Sequence, residues 1–274
     1  MSANILILSG YGLNCEEETL FAFNHVGVSG KIIHINDLID NHKVLDKYKI
    51  LAVPGGFSYG DDTGSGNAFA QKMKLALWEP LKAFIERDTL TIGICNGCQI
   101  LSNLGLVPGF DSQYGERLVA VTYNESARYQ CRWVDVKAQN QTSPWLEDIE
   151  SLHIPVAHGE GRFMMEQETL QKLQTNNQIA LTYTAPDGSP ANNAFPNNPN
   201  GAIADIAGIT DQSGRVLALM PHPERGMFSW QRDDYHELKD SAQRSGSPLP
   251  ENTDGLAIFQ NAAKYFGINA KKVA

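Results

Sequence analysis

Cys95 lies in Thr91-Ile-Gly-Ile-Cys95-Asn-Gly-Cys-Gln99, with glycines two before and two after it. Leu90–Ile94 is an apolar run that reads as a buried strand, and a helix is expected from Gln99 through Leu104. The cysteine therefore falls at a tight strand-to-helix turn, the cysteine form of a nucleophile elbow. A helix start offers unpaired N–H groups and the positive end of a dipole. Both favour a thiolate, and the same N–H groups can receive a developing oxyanion. A second group able to do chemistry stands far downstream, in Pro221-His222-Pro223-Glu224-Arg225. The two prolines bias this segment toward extended backbone, which would point His222 and Glu224 the same way. A carboxylate that orients an imidazole is what a nucleophilic cysteine needs, with the histidine moving the proton.

Cys95-x-x-Cys98 also has the spacing of a redox pair. That reading leaves the Pro-His-Pro-Glu segment without a role. Cys15 and Cys131 are assigned to packing, as free cysteines usually are.

The elements that must position these groups alternate. Strands are expected at Ile5–Leu8, Lys31–Ile35, Ile50–Val53 and Leu90–Ile94, and helices at Glu16–Val26 and Ala68–Arg87. This order predicts an α/β fold with a doubly wound, mostly parallel sheet and helices on both faces. Ligands in such sheets lie beyond the carboxyl ends of the strands, where Pro54-Gly55-Gly56 and Cys95 both fall. After about residue 115 the pattern changes. Leu118–Tyr123, Cys131–Val136, Leu152–Ala157 and Ile179–Tyr183 read as strands without long helices between them, an antiparallel extension of the sheet. Pro186–Asn200 reads as a long loop, Val216–Met220 as a strand and Gly255–Phe266 as a closing helix. The whole of 1–274 is expected to form a single domain, with an irregular surface excursion at 229–252.

A formal net charge of −9 argues against nucleic acid or an anionic membrane as partner. No apolar run reaches the ~20 residues of a membrane span. The N-terminus lacks a basic leader and enters a strand at once, and four cysteines without framework spacing fit a reducing, cytoplasmic setting. No ligand spacing suggests a metal.

Gly93-Ile-Cys95-Asn-Gly97-Cys-Gln99, Pro54-Gly-Gly56 and His222-Pro-Glu224 resemble the class I, triad-type glutamine amidotransferases. Gly55-Gly-Phe-Ser-Tyr-Gly60-Asp, Ala157-His-Gly-Glu-Gly-Arg162-Phe, Asn197-x-Pro-Asn-Gly201 and Met220-Pro-His-Pro-Glu-Arg225 narrow this to the glutaminase components of phosphoribosylformylglycinamidine synthases. The likeness runs from Ile5 to about Phe228. It implies that Cys95, His222 and Glu224 hydrolyse glutamine to glutamate and ammonia. It further implies that Gly55, Gly56, Phe57, Asn96 and Gln99 bind glutamine and form the oxyanion hole. His158, Glu160 and Arg162 become candidates for partner contact or for gating an ammonia path. The implied partner is a synthetase subunit that turns formylglycinamide ribonucleotide into the amidine with ATP, in de novo purine (IMP) biosynthesis. ATP and Mg are expected on that partner, because this chain has no phosphate-binding Gly-x-x-x-x-Gly-Lys-Ser/Thr and Asp61-Asp62 follow its nearest glycine run. The resemblance leaves open whether a third small subunit joins them. The stretch between Met227 and Thr253 is longer than a compact separate subunit carries, closer to fused synthases or a long-form subunit.

Overall fold

Four short runs whose residues are buried throughout, Ile50–Val53, Leu90–Ile94, Ile206–Thr210 and Val216–Leu219, fill the middle of one sheet. Strands covered on both faces read as continuous apolar runs, and that is how three of these four announce themselves. The computed structural model describes residues 3–140 and 142–268; residues 1–2, 141 and 269–274 of the expected domain lie outside the described residues.

In chain order the elements are β1 (Asn4–Ser9), α1 (Glu16–His25), β2 (Ser29–His34), α2 (Ile35–Asp40), β3 (Ile50–Val53), α3 (Asn67–Glu86), β4 (Leu90–Ile94) and α4 (Asn96–Leu104). Then follow β5 (Ala120–Thr122), β6 (Gln130–Ala138), β7 (Ser151–His158), β8 (Arg162–Met164), α5 (Gln167–Thr175) and β9 (Ile179–Thr184). The chain continues through β10 (Ile206–Thr210), β11 (Val216–Leu219), α6 (Tyr235–Ser245) and α7 (Gly255–Tyr265). Nine strands form the main sheet in the order β2-β1-β3-β4-β11-β10-β9-β6-β7. The first five run parallel and the last four add antiparallel pairs, as the sequence predicts. The connection from β1 moves outward to β2, while that from β3 moves the opposite way to β4. Right-handed crossovers then put α1 and α3 on opposite faces. α7 packs with α1, and α4 packs with α3, so each face has its own helical layer.

Three expectations are corrected. The strand near Leu118–Tyr123 pairs with β8 in a separate two-stranded sheet instead of extending the main one. The extension does contain a helix, α5, whose buried Thr169, Leu170 and Leu173 are too few and too closely spaced to make a long apolar stripe. The excursion at 229–252 is not irregular: it carries α6, an eleven-residue helix with no buried residue. The apolar face of α6 is only Tyr235, Leu238 and Ala242, half-buried among charged and polar residues, too thin a stripe to mark a helix from sequence. Pro186–Asn200 is the expected loop, and it is pinned. The Asp205 carboxylate accepts the N–H groups of Asn192 and Asn193, each at 2.8 Å, and the Asn198 amide at 2.9 Å.

The reversal of strand order lies between β1 and β3, so the crevice of this sheet opens at their carboxyl ends. The loops there are stitched together. Asn14 N–H donates to the Gly55 carbonyl at 3.0 Å, and Phe57 N–H donates to the Gly12 carbonyl at 2.9 Å.

Candidate active site

Cys95 is held at φ 51°, ψ −105°, between the end of β4 and the start of α4. This is a strained backbone for a residue with a Cβ, and such strain persists only where surroundings enforce it. Here the Cys95 N–H donates to the Leu219 carbonyl at the end of β11 at 2.9 Å, and its own carbonyl accepts from Gln99 N–H at 3.1 Å. The flanking glycines are sterically required. A Cβ on Gly93 would stand 2.6 Å from the Gly97 carbonyl oxygen, and one on Gly97 would be driven into the Val53 carbonyl oxygen. The elbow therefore packs backbone on backbone. Its sulfur is turned toward the end of β7, where the thiol donates to the Ala157 carbonyl at 3.7 Å.

β11 runs parallel beside β4, so the segment after it arrives next to the elbow. His222 N–H is fixed by the Pro155 carbonyl at 2.8 Å. Pro223–Arg225 then forms a 3-10 turn, closed by Arg225 N–H on the His222 carbonyl at 3.1 Å. The expected extended segment is thus a turn, yet the two side chains still meet: His222 Nδ1 and Glu224 Oε1 are 2.6 Å apart, with both residues 1% exposed. Burial works against the imidazolium, but the Glu224 carboxylate and then Cys95 outweigh it and hold His222 well above its ordinary pKa. An oriented imidazole beside a strained thiol can carry out nucleophilic attack on a carbonyl and proton delivery to a leaving amine.

The remaining expected residues divide. Gly55 lies against the histidine: a Cβ there would be 2.8 Å from His222 Cε1 and 2.9 Å from Cys15 Sγ. Gly56 sits at φ 151°, bridged to Leu13. The Phe57 N–H is committed to Gly12, so it is not a free oxyanion donor here; its ring is 41% exposed and faces Tyr129 at 6.2 Å. Asn96 occupies the first helical position, where a backbone N–H has no intrahelical acceptor. Its side chain accepts Ser58 N–H at 3.1 Å and donates to Gln99 Oε1 at 2.8 Å. Gln99 Nε2 in turn donates to the Glu160 carbonyl at 2.5 Å. Gln99 is thereby a tie between the elbow helix and the 158–162 loop.

His158 and Glu160 are 2% and 8% exposed, so neither offers the surface expected of a partner contact. Glu160 Oε2 accepts Ser65 N–H at 3.3 Å. Arg162 alone of the three reaches outward, with Nε donating to the Gly201 carbonyl at 3.0 Å and an ion pair to Glu125 at 3.6 Å. Cys98 is fully buried inside α4, and burial pushes its thiol well above the ordinary value. A thiol kept protonated and enclosed is a poor redox partner.

The sequence reading missed Cys15. It is buried, as expected of a packing cysteine, but it lies among the candidate site groups: Arg225 Nη2 donates to its sulfur at 3.0 Å. Burial raises the Cys15 thiol, and His222 and Arg225 partly offset that. Donor atoms of Cys15, His222 and Glu224 lie within 4.8 Å of one another, a set that sequence spacing could not show and that is chemically able to hold a metal. The guanidinium on the sulfur and the hydrogen bond between the other two already occupy it. Cys131 is exposed instead of packed. Tyr129 and Asn124 complete the surroundings; nothing local in the sequence marks them, because they arrive from turns beside β6.

The family model described as a CobB/CobQ-like glutamine amidotransferase domain matches residues 2–266. The phosphoribosylformylglycinamidine synthase subunit PurQ of Methanococcus maripaludis strain C7 is 48% identical over 263 residues, covering 96% of this chain and 97% of that protein. The subunit of the same name from Dehalococcoides mccartyi is 40% identical over 261 residues, covering 95% and 96%. A chain in the solved structure of PurLQS from Thermotoga maritima superposes with a TM-score of 0.70 at 26% identity, covering 97% of this chain and 99% of that one.

Proposed function

This chain belongs to the CobB/CobQ-like glutamine amidotransferase family and, within it, to the PurQ subunits of phosphoribosylformylglycinamidine synthase, and from that premise we propose how its residues divide the reaction. The subunit is the glutaminase component of that enzyme of de novo purine (IMP) biosynthesis. Cys95 Sγ attacks the side-chain carbonyl carbon of glutamine. The oxyanion is received by the N–H groups of Asn96 and Gly56, at the helix start and the β3 loop. As the C–N bond breaks, His222 gives its proton to the nitrogen and ammonia leaves. Water then attacks the thioester, His222 takes up a proton, and glutamate departs as the thiol is restored. Glu224 holds the imidazole and favours its charged form. The observation that supports this most is the pairing of His222 and Glu224 at 2.6 Å, buried beside a strained cysteine elbow.

Ammonia passes to a synthetase partner that carries ATP and Mg and converts formylglycinamide ribonucleotide to the amidine. A separate subunit with a long 229–252 segment fits relatives that are themselves separate subunits, matched over nearly their full length. A cytoplasmic setting suits four free cysteines, one of them exposed. Among the described residues no helix is long and apolar enough to cross a membrane.

The test is Cys95→Ala in the assembled enzyme. Glutamine-dependent synthesis is expected to vanish while synthesis from added ammonia persists. Glutamate release by purified Cys95→Ala at more than background would sink the assignment.

A further inference from the structure

His158 ends β7, next to the Ala157 carbonyl that the Cys95 thiol contacts. The imidazole is enclosed. Its Nδ1 lies 3.1 Å from Asn124 Oδ1, and its Nε2 has no hydrogen-bond partner among the described residues. The tautomer follows from Asn124. The Asn124 Nδ2 donates to the carbonyls of Arg128 at 2.8 Å and His158 at 2.9 Å, while its Oδ1 accepts Gly161 N–H at 3.0 Å. Turning this amide over would set its NH2 against an N–H and its oxygen against two carbonyls. The oxygen therefore faces His158, and Nδ1 must carry the hydrogen. In the neutral ring Nε2 is then a bare acceptor, buried and fixed in direction.

Neutrality has its own causes. Burial, and after it the charge of nearby His222, bring the His158 pKa down to about 3. Among the described residues the ring also has no carboxylate within hydrogen-bond reach. A Cβ on Gly161 would clash with the ring, 2.5 Å from Nδ1 and 2.7 Å from Nε2, so the loop backbone lies directly against the imidazole and fixes it in place. Tyr129 borders the same loop: a Cβ on Gly159 would lie 3.8 Å from its ring.

We infer that His158 Nε2 is a binding position for the ammonia released at Cys95, accepting an N–H from it before it leaves the glutaminase site. The inference rests on the glutaminase reading above. Its chemistry needs no proton transfer. An acceptor with no proton to give holds ammonia as the free base, the form that stays nucleophilic, whereas an imidazolium would convert it to ammonium. Asn124 acts through His158 as a positioning residue, by fixing the tautomer.

The test uses two measurements. In the unsubstituted chain with 15N-labelled histidine, the His158 Nε2 resonance is expected at the position of an unprotonated imidazole nitrogen. It should move on titration with ammonium chloride at alkaline pH, where free ammonia is present, and not with sodium chloride. In the complex with the synthetase partner, the ratio of amidine product to glutamate released is measured for His158→Leu and His158→Gln. His158→Leu should lower the ratio about threefold to tenfold, the range of one net hydrogen bond. His158→Gln, which keeps an acceptor near the place of Nε2, should retain more of it. An Nε2 resonance unmoved by ammonia, or one moved equally by sodium chloride, overturns the inference, as does an unchanged ratio in His158→Leu. If the unsubstituted complex releases no glutamate from glutamine, the glutaminase reading fails first, and the two failures are told apart.

Discussion

At the scale of single residues, the site assigns unequal work to partners that touch each other. In the proposed mechanism His222 handles the proton at both steps, whereas Glu224, 2.6 Å from it, aims and polarises it. His222→Ala is expected to lower glutaminase kcat by ~10²–10⁴-fold, the span of general acid–base catalysis. Glu224→Gln, which keeps the contact but not the charge, should lose less. Steady-state glutamate release decides this, and equal losses would count against the division. Cys98→Ser should keep most of the activity, since that thiol is enclosed in α4. The residues that could be read from sequence are those whose roles are written locally. Gly93, Cys95 and Gly97 carry a steric requirement at fixed spacing, and His222 and Glu224 are two apart. Cys15, Asn124 and Tyr129 had no such signature. Cys15 meets Arg225 only because the β1 loop is stitched to the β3 loop, a contact between residues 210 positions apart.

At the scale of elements, two packings carry measurable consequences. α4 crosses β3 so closely that Gly97 has no room for a methyl group against the Val53 carbonyl. Gly97→Ala should destabilise by at least the ~1–3 kcal/mol of an overpacked core, since a carbonyl cannot swing away as a side chain can. Chemical denaturation would show it as a lower midpoint; an unchanged midpoint would mean the elbow yields. The second packing is a clasp. His153 on β7 stacks on Trp133 and joins Asp135 through Nδ1 and Asp233 through Nε2, both at 2.9 Å. Burial opposes its charge, as does Arg232, but the two carboxylates prevail and raise its pKa above the ordinary value. A raised histidine contributes its full stability below the unfolded pKa of about 6.5 and loses it as pH climbs through the folded value. The melting temperature of the native chain should therefore exceed that of His153→Gln by more at about pH 6 than at about pH 9. A gap independent of pH would show that stacking alone matters. The clasp and α6 escaped the sequence for related reasons. His153 and Asp233 come from segments far apart, and a helix whose apolar face is only the half-buried Tyr235, Leu238 and Ala242 leaves a thin periodic trace.

At the scale of the whole molecule, the chain makes ammonia that only a partner can use. Its Phe57 N–H is bonded to the Gly12 carbonyl, so a third donor beside those of Asn96 and Gly56 in the proposed oxyanion site is held back. Losing one such donor costs about 10²–10³ in rate. The isolated chain should turn glutamine over slowly, and the synthetase with ATP and ribonucleotide should raise kcat by freeing that N–H toward the site. Glutaminase kcat unchanged across those mixtures would refute the coupling and leave the cysteine chemistry standing.

The order of strands carries one more consequence. β4, which ends at the elbow, touches β11, which delivers His222, and residues 95–215 lie between the two strands. β11 is wedged into the interior of the sheet, between β4 and β10. During synthesis the chain emerges N-terminus first, at about 5–20 residues per second. The elbow is made early and remains without its base until the strand that must be inserted in the middle arrives. In the proposed mechanism a nascent or truncated chain ending before Val216 would hold the nucleophile without its base and would not spend glutamine. Glutaminase activity is then expected only of the nearly finished polypeptide, with unfinished copies chemically silent.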